Sequence, residues 1–332
     1  MAPDLRTGIE VNDDVRRQGL ADTTAVAWPA SWLYVPASKP SLFTKAAGSD
    51  AEALILDLED SVPHPDKRQA RRELTAWLTA NAVDADGGPR GSVHGKPVWV
   101  RINAEHVTED AAAVMGPESE ALCAGVILAK AEPAVVAELE DITGGRLPVI
   151  GLVESATGLK GLDRMAASPS VVTFGIGEVD LLADLRMRRS PAAEAAVDAL
   201  RLQVVVSCAS AGLRAPLAPT STDFRDLGAF AESTRKFQDL GFRARTAIHP
   251  GQCPVINSVF TPTAEDVTAA RRIMDHSAQA SGGVTLDDSG RLIDAAVVRG
   301  ALETLERATA NRELPDTTAL PAQSPFSSRR RN

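Results

Sequence analysis

The sequence predicts an α/β fold, a (β/α)8 barrel that is followed by a C-terminal hairpin and helix. Short apolar runs rich in Val, Ile and Leu alternate with helix-prone segments along most of the chain, and eight such runs are present. Several of these runs end in charged side chains, as barrel strands do where they reach a catalytic face. The length of 332 residues also suits a single TIM barrel.

The composition agrees with a core of buried parallel strands. Hydrophobic residues make up 44% of the chain and aromatic residues only 4%, so the core must be built mainly from Ala, Val, Leu and Ile. The net charge of −9 argues against nucleic acid or an anionic membrane as the partner. No apolar run approaches membrane-spanning length, and no segment reads as a secretory signal. Three widely spaced cysteines suggest neither disulfides nor a zinc site, so we expect a reducing cytoplasm.

The alternation also predicts the domain limits. Residues 1–28 lack periodicity and are expected to form a flexible arm, while the catalytic barrel should span 29–262. A helical lid segment is expected at 263–311, and a disordered tail at 312–332. The eight predicted strands are 31–36, 52–60, 98–103, 125–130, 148–154, 171–177, 213–219 and 245–249.

In the first half of the chain, Pro36 stops the first strand, and a turn and a short helix over 41–48 follow. The second strand leads into a charged helix over about 65–80, which places Trp77 on its inner face. Residues 83–95 are rich in Asp, Gly, Pro and Ser and predict an exposed loop, because the alternation of strands and helices resumes directly after them.

In the second half, a long Ala-rich helix is expected over about 181–211 and another over 222–240. The seventh strand lies between them and is weak, because it contains proline. Beyond the eighth strand, Thr263 resembles an N-cap of a helix that ends near Gly282. Residues 284–293 then suggest a small hairpin, and Asp294 begins a final helix that ends near Asn311.

Two carboxylates at neighbouring strand ends predict a metal site. Glu154 ends the fifth strand and Asp180 comes just after the sixth. Parallel strands that are joined by helices have their carboxyl ends on one edge, so both acids should face one cavity. Two hard oxygen ligands on rigid neighbouring strands can hold a divalent ion and leave room for substrate oxygens. Taken alone, each acid could instead cap the helix that follows it.

The other strand ends carry Asp57, Glu59, Arg101, Asn103, Lys130 and His249. No catalytic triad follows from this set, because only one of the five histidines ends a strand. Neighbouring acids would keep Lys130 protonated, so a salt bridge is its expected role instead of Schiff-base chemistry. Arg101 can neutralise developing negative charge or clamp a carboxylate. Two metal-binding carboxylates together with this arginine suit the making or breaking of a carbon–carbon bond beside a carbonyl.

Ordered motifs in the chain resemble the citrate lyase β-subunit-like branch of the HpcH/HpaI aldolase family, whose CoA-ester lyases include malyl-CoA and citramalyl-CoA lyases. The resemblance extends over about residues 31–308. The matching segments are 31–36, 56–62, 100–103, 154–158, 177–181, 222–226, 247–252 and 260–262.

The resemblance implies roles for individual residues. Glu154 and Asp180 correspond to the family's Mg²⁺ ligands, with Mn²⁺ as an alternative ion, and Arg101 to the arginine that contacts substrate oxygens. Asp57 and Glu59 fall in the acidic cluster beneath the site, and we expect them and Lys39 to contribute to substrate binding.

The C-terminal motif 292–294 also matches the family. It implies that Asp294 is delivered to the active site of a neighbouring subunit as an acid/base group. The protein would then be an obligate homo-oligomer, a trimer or a hexamer, whose hairpin and helix pack on that neighbour. An aspartate at a helix start can also serve only as a cap.

The sequence thus predicts a Mg²⁺-dependent lyase for a short 3-hydroxyacyl-CoA, such as malyl-CoA or citramalyl-CoA, that works through a metal-stabilised enolate. Ala30 and Ala37 stand where the family commonly has Arg and Gly, which keeps open a CoA-independent aldolase for 2-oxo or hydroxy acids. A thioesterase step after condensation and a non-catalytic subunit of a lyase complex are further alternatives.

Overall fold

The computed structural model describes residues 28–81, 91–116, 120–280 and 284–310. The predicted arm, apart from Trp28, and the predicted tail therefore lie outside the described residues. Eight parallel strands close into a barrel, because β1 pairs with both β2 and β9, and β2 pairs with β4. This confirms the predicted fold. The strands of the sheet are β1 (Ser31–Pro36), β2 (Ala53–Asp57), β3 (Ser92–Val93), β4 (Lys96–Ile102), β5 (Gly125–Leu128), β6 (Val149–Val153), β7 (Val171–Ile176), β8 (Leu217–Ala218) and β9 (Ala244–Ala247).

Side chains alternate between the barrel interior and the surrounding helices. In β1, Trp32 points inward and packs edge-to-face on Trp99 of β4, with ring centroids 5.5 Å apart. The next inward residue, Tyr34, reaches the cavity at the carboxyl ends of the strands. Leu33 and Val35 point outward and join the apolar layer beneath the helices. The near-continuous apolar runs of the sequence thus reflect strands that are buried on both faces.

Short connections place helices after most strands. The helices are α1 (Phe43–Ala47), α2 (Lys67–Asn81), α3 (Val107–Val114), α4 (Pro133–Thr143), α5 (Ala156–Lys160), α6 (Leu162–Ala166), α7 (Glu178–Asp184), α8 (Glu194–Ser210), α9 (Leu227–Asp239), α10 (Cys253–Phe260), α11 (Ala264–Gln279) and α12 (Ala295–Ala310). Trp77 of α2 packs against Phe43 as the inner-face prediction required. Within the described ranges, none of these helices combines the length and the apolar character needed to cross a membrane.

Three predicted segments differ in the structure. The helix predicted over 181–211 is wrong, because residues 185–193 separate α7 from α8; Arg186 adopts a left-handed φ of 56° there, and Pro191 starts a 3₁₀ turn. The loop predicted over 83–95 is wrong at β3, whose two residues are buried and pair with β4. The helix predicted from residue 222 begins at Leu227, where Asp226 accepts a hydrogen bond from the Ala229 amide.

The described residues of 261–280 and 284–310 belong to a unit distinct from Pro29–Phe260. Thr263 caps α11 in a reciprocal arrangement with Asp266, as its position predicted. Strand β10 (Thr285–Leu286) pairs antiparallel with β11 (Leu292–Ile293), and α12 packs against α11. Asp294 directly precedes α12, and its Oδ1 accepts the N–H groups of residues 296 and 297 at 2.9 and 3.0 Å.

Candidate active site

A cavity of about 290 Å³ opens at the carboxyl ends of the barrel strands. Arg101 of β4, Glu154 after β6 and Asp180 of α7 all line it, so the structure brings together the three residues that carry the predicted chemistry. Asp60, one of three acids at the end of the second predicted strand, also lines the cavity, as does Tyr34, which was not among the predicted site residues. The period-two alternation in β1, read from Trp32, is the signal that could have identified Tyr34.

Asp57 fixes the guanidinium of Arg101. The two residues are register partners in β2 and β4, and Arg101 donates from Nε to Oδ1 at 2.6 Å and from Nη2 to Oδ2 at 2.8 Å. The same carboxylate accepts the backbone N–H groups of Glu59 at 2.9 Å and Ser61 at 3.2 Å. Burial opposes ionisation of Asp57, but the hydrogen bonds and charge of Arg101 lower the pKa of its carboxyl. Arg101 is therefore a rigid donor with a defined orientation.

Glu59 and Tyr34 also contact the guanidinium of Arg101. Glu59 Oε2 lies 3.1 Å from Arg101 Nη1, and the Tyr34 ring lies 4.8 Å from the guanidinium carbon. Burial raises the pKa of the Glu59 carboxyl, and the charge of Arg101 opposes this rise. Neither Asp57 nor Glu59 is among the described residues that line the cavity. The structure places both acids behind Arg101, where they orient it.

Glu154 is a buried acid with 5% exposure. Its Oε2 accepts the backbone N–H of Lys130 at 2.6 Å, and Lys130 presents that N–H from a left-handed φ of 48°. The Lys130 ammonium lies 3.5 Å from Glu59 Oε1, in the salt-bridge role expected for it. Burial raises the pKa of the Glu154 carboxyl to about 7, and the nearby charges of Glu59 and Asp180 add to this rise.

The donor set suits a divalent cation. Glu154 is buried, has an acidic neighbour and forms no salt bridge with a cation in the described part of the chain. Asp180 is exposed in the first turn of α7 and lines the same cavity. No group of three or more His, Cys, Asp or Glu residues that could hold a metal occurs among the described residues. A cation here would therefore take two protein carboxylates, and substrate or water oxygens would complete its coordination.

Close backbone approach at Gly177 holds Glu154 against the wall of the cavity. A Cβ at this position would lie 2.2 Å from Glu154 Oε1 and 2.7 Å from its Cδ. Gly177→Ala should therefore displace the carboxylate and weaken Mn²⁺ binding about 10- to 100-fold, as measured by electron paramagnetic resonance titration. Gly228→Ala is the matched control, because its Cβ would come no closer than 3.4 Å to the nearest atom, an Asp226 oxygen. Equal affinities for both variants would contradict this role of Gly177.

Three other predicted residues of the barrel do not line the cavity. Lys39 is exposed at the start of a 3₁₀ turn and is not a lining residue. His249 is exposed, and its Nδ1 accepts the Gly251 amide at 3.1 Å, so it caps a turn. Asn103 accepts a hydrogen bond from Lys67 Nζ at 3.0 Å and supports the loop behind Arg101. Asp294 belongs to the C-terminal unit, and its role at a neighbouring site stays a prediction.

The two departures from the family motif do not face the cavity. Ala30 precedes β1 and therefore lies at the amino end of the strand, where its N–H donates to Glu52 at 2.6 Å. Ala37 is fully buried, and its N–H donates to the backbone oxygen of Asp57 at 3.0 Å. Neither alanine therefore shapes the lining of this cavity, and the CoA-independent alternative stays open.

Comparisons with known proteins identify relatives that match most of this chain. A citrate lyase subunit beta-like protein of Mycobacterium tuberculosis is 32% identical over 281 residues, which cover 83% of this chain and 94% of that protein. A (3S)-malyl-CoA thioesterase of Cereibacter sphaeroides is 30% identical over 288 residues, with coverages of 84% and 94%. The crystal structure of CitE from M. tuberculosis in complex with magnesium, acetoacetate and coenzyme A has a TM-score of 0.67 and 29% identity, and the match covers 85% of this chain and 99% of that one.

The family model described as HpcH/HpaI aldolase/citrate lyase matches residues 30–250, which include the whole barrel from β1 to β9. This match confirms the family predicted from the ordered motifs. Relatives with lyase names, among them an L-malyl-CoA/beta-methylmalyl-CoA lyase of C. sphaeroides that is 30% identical over 297 residues, agree with the predicted enzyme class. The chain belongs to the HpcH/HpaI aldolase/citrate lyase family.

Proposed function

We propose that the protein is a Mg²⁺-dependent carbon–carbon lyase that cleaves or forms a short 3-hydroxyacyl-CoA such as malyl-CoA or citramalyl-CoA. The observation that carries the proposal is the buried Glu154 carboxylate, which shares one cavity with Asp180 and with the fixed guanidinium of Arg101. The relatives that are named for malyl-CoA chemistry support the CoA-ester part. A magnesium ion in the crystal structures of CitE from M. tuberculosis supports the choice of metal, and Mn²⁺ suits the same oxygen ligands.

In this proposal Glu154 and Asp180 hold the ion, which would polarise substrate oxygens. Arg101 donates hydrogen bonds to the oxygen that gains negative charge when the bond beside the carbonyl breaks and an enolate forms. Asp57 and Glu59 keep the guanidinium in place during this change, so little reorganisation is needed. Lys130 holds Glu154 through its backbone N–H.

We further propose that Asp294 from a neighbouring copy moves the proton, which makes the enzyme a homo-oligomer, a trimer or a hexamer. Two hydrogen bonds from backbone N–H groups lower the pKa of the Asp294 carboxyl, which favours its basic form. On the adjacent hairpin, Leu286 and Leu292 are opposite each other in register and are 55% and 57% exposed, which suits burial against another subunit. A cytoplasmic location stays part of the proposal.

The deciding experiment follows product release from malyl-CoA and citramalyl-CoA, beside free 4-hydroxy-2-oxo acids, with and without EDTA. We expect cleavage of a CoA ester that EDTA stops and Mg²⁺ restores. Cleavage of the free acids alone would favour the CoA-independent aldolase. Mg²⁺ binding without turnover on a broad panel of CoA esters would favour a non-catalytic subunit of a lyase complex.

Hydrolysis of the thioester is a second candidate activity, because several relatives are named (3S)-malyl-CoA thioesterases. The same assay separates the two. A lyase releases an acyl-CoA and a 2-oxo acid, whereas a thioesterase releases free CoA and the intact hydroxy acid.

A further inference from the structure

A second arginine lines the active-site cavity. Among the described residues, Arg101 and Arg189 are the two cationic side chains in its wall. Arg189 lies in the irregular segment between α7 and α8, which the sequence analysis predicted to be helical. Its side chain is 54% exposed, so its charged end is accessible to a ligand.

A buried network fixes the position of this arginine. Arg189 Nη2 forms a salt bridge with Oε1 of Glu178, whose carboxylate is buried in the first turn of α7. Arg201 holds the same carboxylate in a two-point contact, from Nε at 2.7 Å and from Nη2 at 2.8 Å. Arg201 in turn donates to Asp198 at 2.7 Å. No other polar partner of Arg189 is present in the described ranges, so N–H groups remain available for a ligand.

The charges around the cavity make Arg189 the better cation for an anionic group. Arg101 is paired with Asp57 and Glu59, so two carboxylates already offset its charge. Among the described residues, Glu178 is the one partner of Arg189, and that carboxylate is shared with Arg201. An anion that enters the cavity is therefore attracted more strongly by Arg189 than by Arg101.

We propose that Arg189 binds a free carboxylate on the acyl part of the substrate and thereby selects 3-hydroxyacyl groups that carry a second acid. The inference rests on the proposed function for the CoA-ester part of the substrate. The alternative anion is a phosphate of CoA. The cavity of about 290 Å³ suits an acyl group, whereas the CoA phosphates are separated from the thioester by the whole pantetheine arm. Arg189 lines this same cavity together with Asp180.

The test measures binding by isothermal titration calorimetry with Ca²⁺ in place of Mg²⁺, after product assays show that malyl-CoA is not turned over under these conditions. Malyl-CoA is compared with 3-hydroxybutyryl-CoA, which has a methyl group in place of the carboxylate, and with CoA itself. Arg189→Met should weaken malyl-CoA binding about 10- to 100-fold and leave the other two affinities unchanged. Arg189→Lys should recover part of the loss, because the charge stays but the planar fork is removed.

Arg188→Met is the matched control, because Arg188 is an exposed neighbour that does not line the cavity. The Arg189 variants should fold normally, since Glu178 keeps its contacts with Arg201. A thermal melt and the Mn²⁺ affinity check that the fold and the pair of acids are intact in each variant.

Equal weakening of malyl-CoA and CoA in Arg189→Met would assign the arginine to a phosphate and overturn the inference, as would unchanged malyl-CoA binding. The same affinities are then measured for free malate and 3-hydroxybutyrate, which lack CoA. Selective loss of malate binding supports the inference even for a protein that cleaves no CoA ester, so failure of the proposed function is recognised separately. Absence of binding of every carboxylated compound to the unmodified protein would overturn both.

Discussion

Replacing Glu154 by glutamine is expected to abolish metal-dependent turnover and, without metal at pH 8, to stabilise the protein by about 3 kcal/mol. Burial raises the pKa of this carboxyl from 4.5 to about 7, so the folded state carries a disfavoured charge at pH 8. The amide is neutral, has the same shape and can still accept the Lys130 N–H. The measurements are Mg²⁺-dependent cleavage of malyl-CoA and urea unfolding in EDTA.

The sign of the effect follows from the direction of the pKa shift. Because the folded pKa of Glu154 is above the unfolded value, its favourable contribution is fully present below pH 4.5 and is lost as the pH rises through 7. The stability gain of Glu154→Gln should therefore vanish below about pH 4.5. Glu138→Gln, the same change at an exposed position of α4, is the control. EDTA-sensitive turnover by the Glu154→Gln variant would disprove the assignment of Glu154 as a metal ligand.

Replacing Arg101 by methionine should lower kcat about 10²- to 10³-fold, because the donor to the developing negative charge is lost. The same change leaves Asp57 buried without its cation, which should destabilise the fold by about 3–5 kcal/mol. The lowered pKa of Asp57 means that the pair stabilises the protein above the unfolded pKa of about 3.9. The stability difference should therefore shrink as the pH falls below about 4.

The double variant Arg101→Met/Asp57→Asn separates catalysis from folding. It removes the uncompensated charge of Asp57, and Glu59 keeps Lys130 as a partner, so we expect much of the stability to return while kcat stays low. Steady-state kinetics and urea unfolding of the two variants provide the comparison. Recovery of kcat together with stability would mean that Arg101 acts only as a structural partner of Asp57.

Short-range sequence patterns predicted most of the barrel and placed Glu154, Asp180 and Arg101 at one cavity, as the structure has them. Arg101 lies near the end of its apolar strand, Glu154 and Asp180 follow theirs, and parallel strands place such positions at one end of a barrel by topology alone. The direction in which these side chains point depends on the register between neighbouring strands. Asp57 and Glu59 also end a strand, yet their side chains turn toward Arg101, because the barrel closes with Asp57 and Arg101 side by side.

The segment between α7 and α8 shows what propensity alone misses. Its Ala-rich flanks favour one long helix, but Pro191 and the left-handed Arg186 interrupt it. The interruption brings Arg189 to the cavity, where the buried contact between Glu178 and Arg201 sets its position. A partnership between residues so far apart in sequence arises only from tertiary packing, so no local pattern reveals it.

The single tyrosine of the chain lies in the cavity wall beside the guanidinium of Arg101. One aromatic hydroxyl in 332 residues makes Tyr34 a natural spectroscopic label. Biosynthetic replacement by 3-fluorotyrosine would give one ¹⁹F resonance, and that resonance would come from the cavity. Ligand titrations could then be followed at the site itself, in the intact protein and without a chemically attached label.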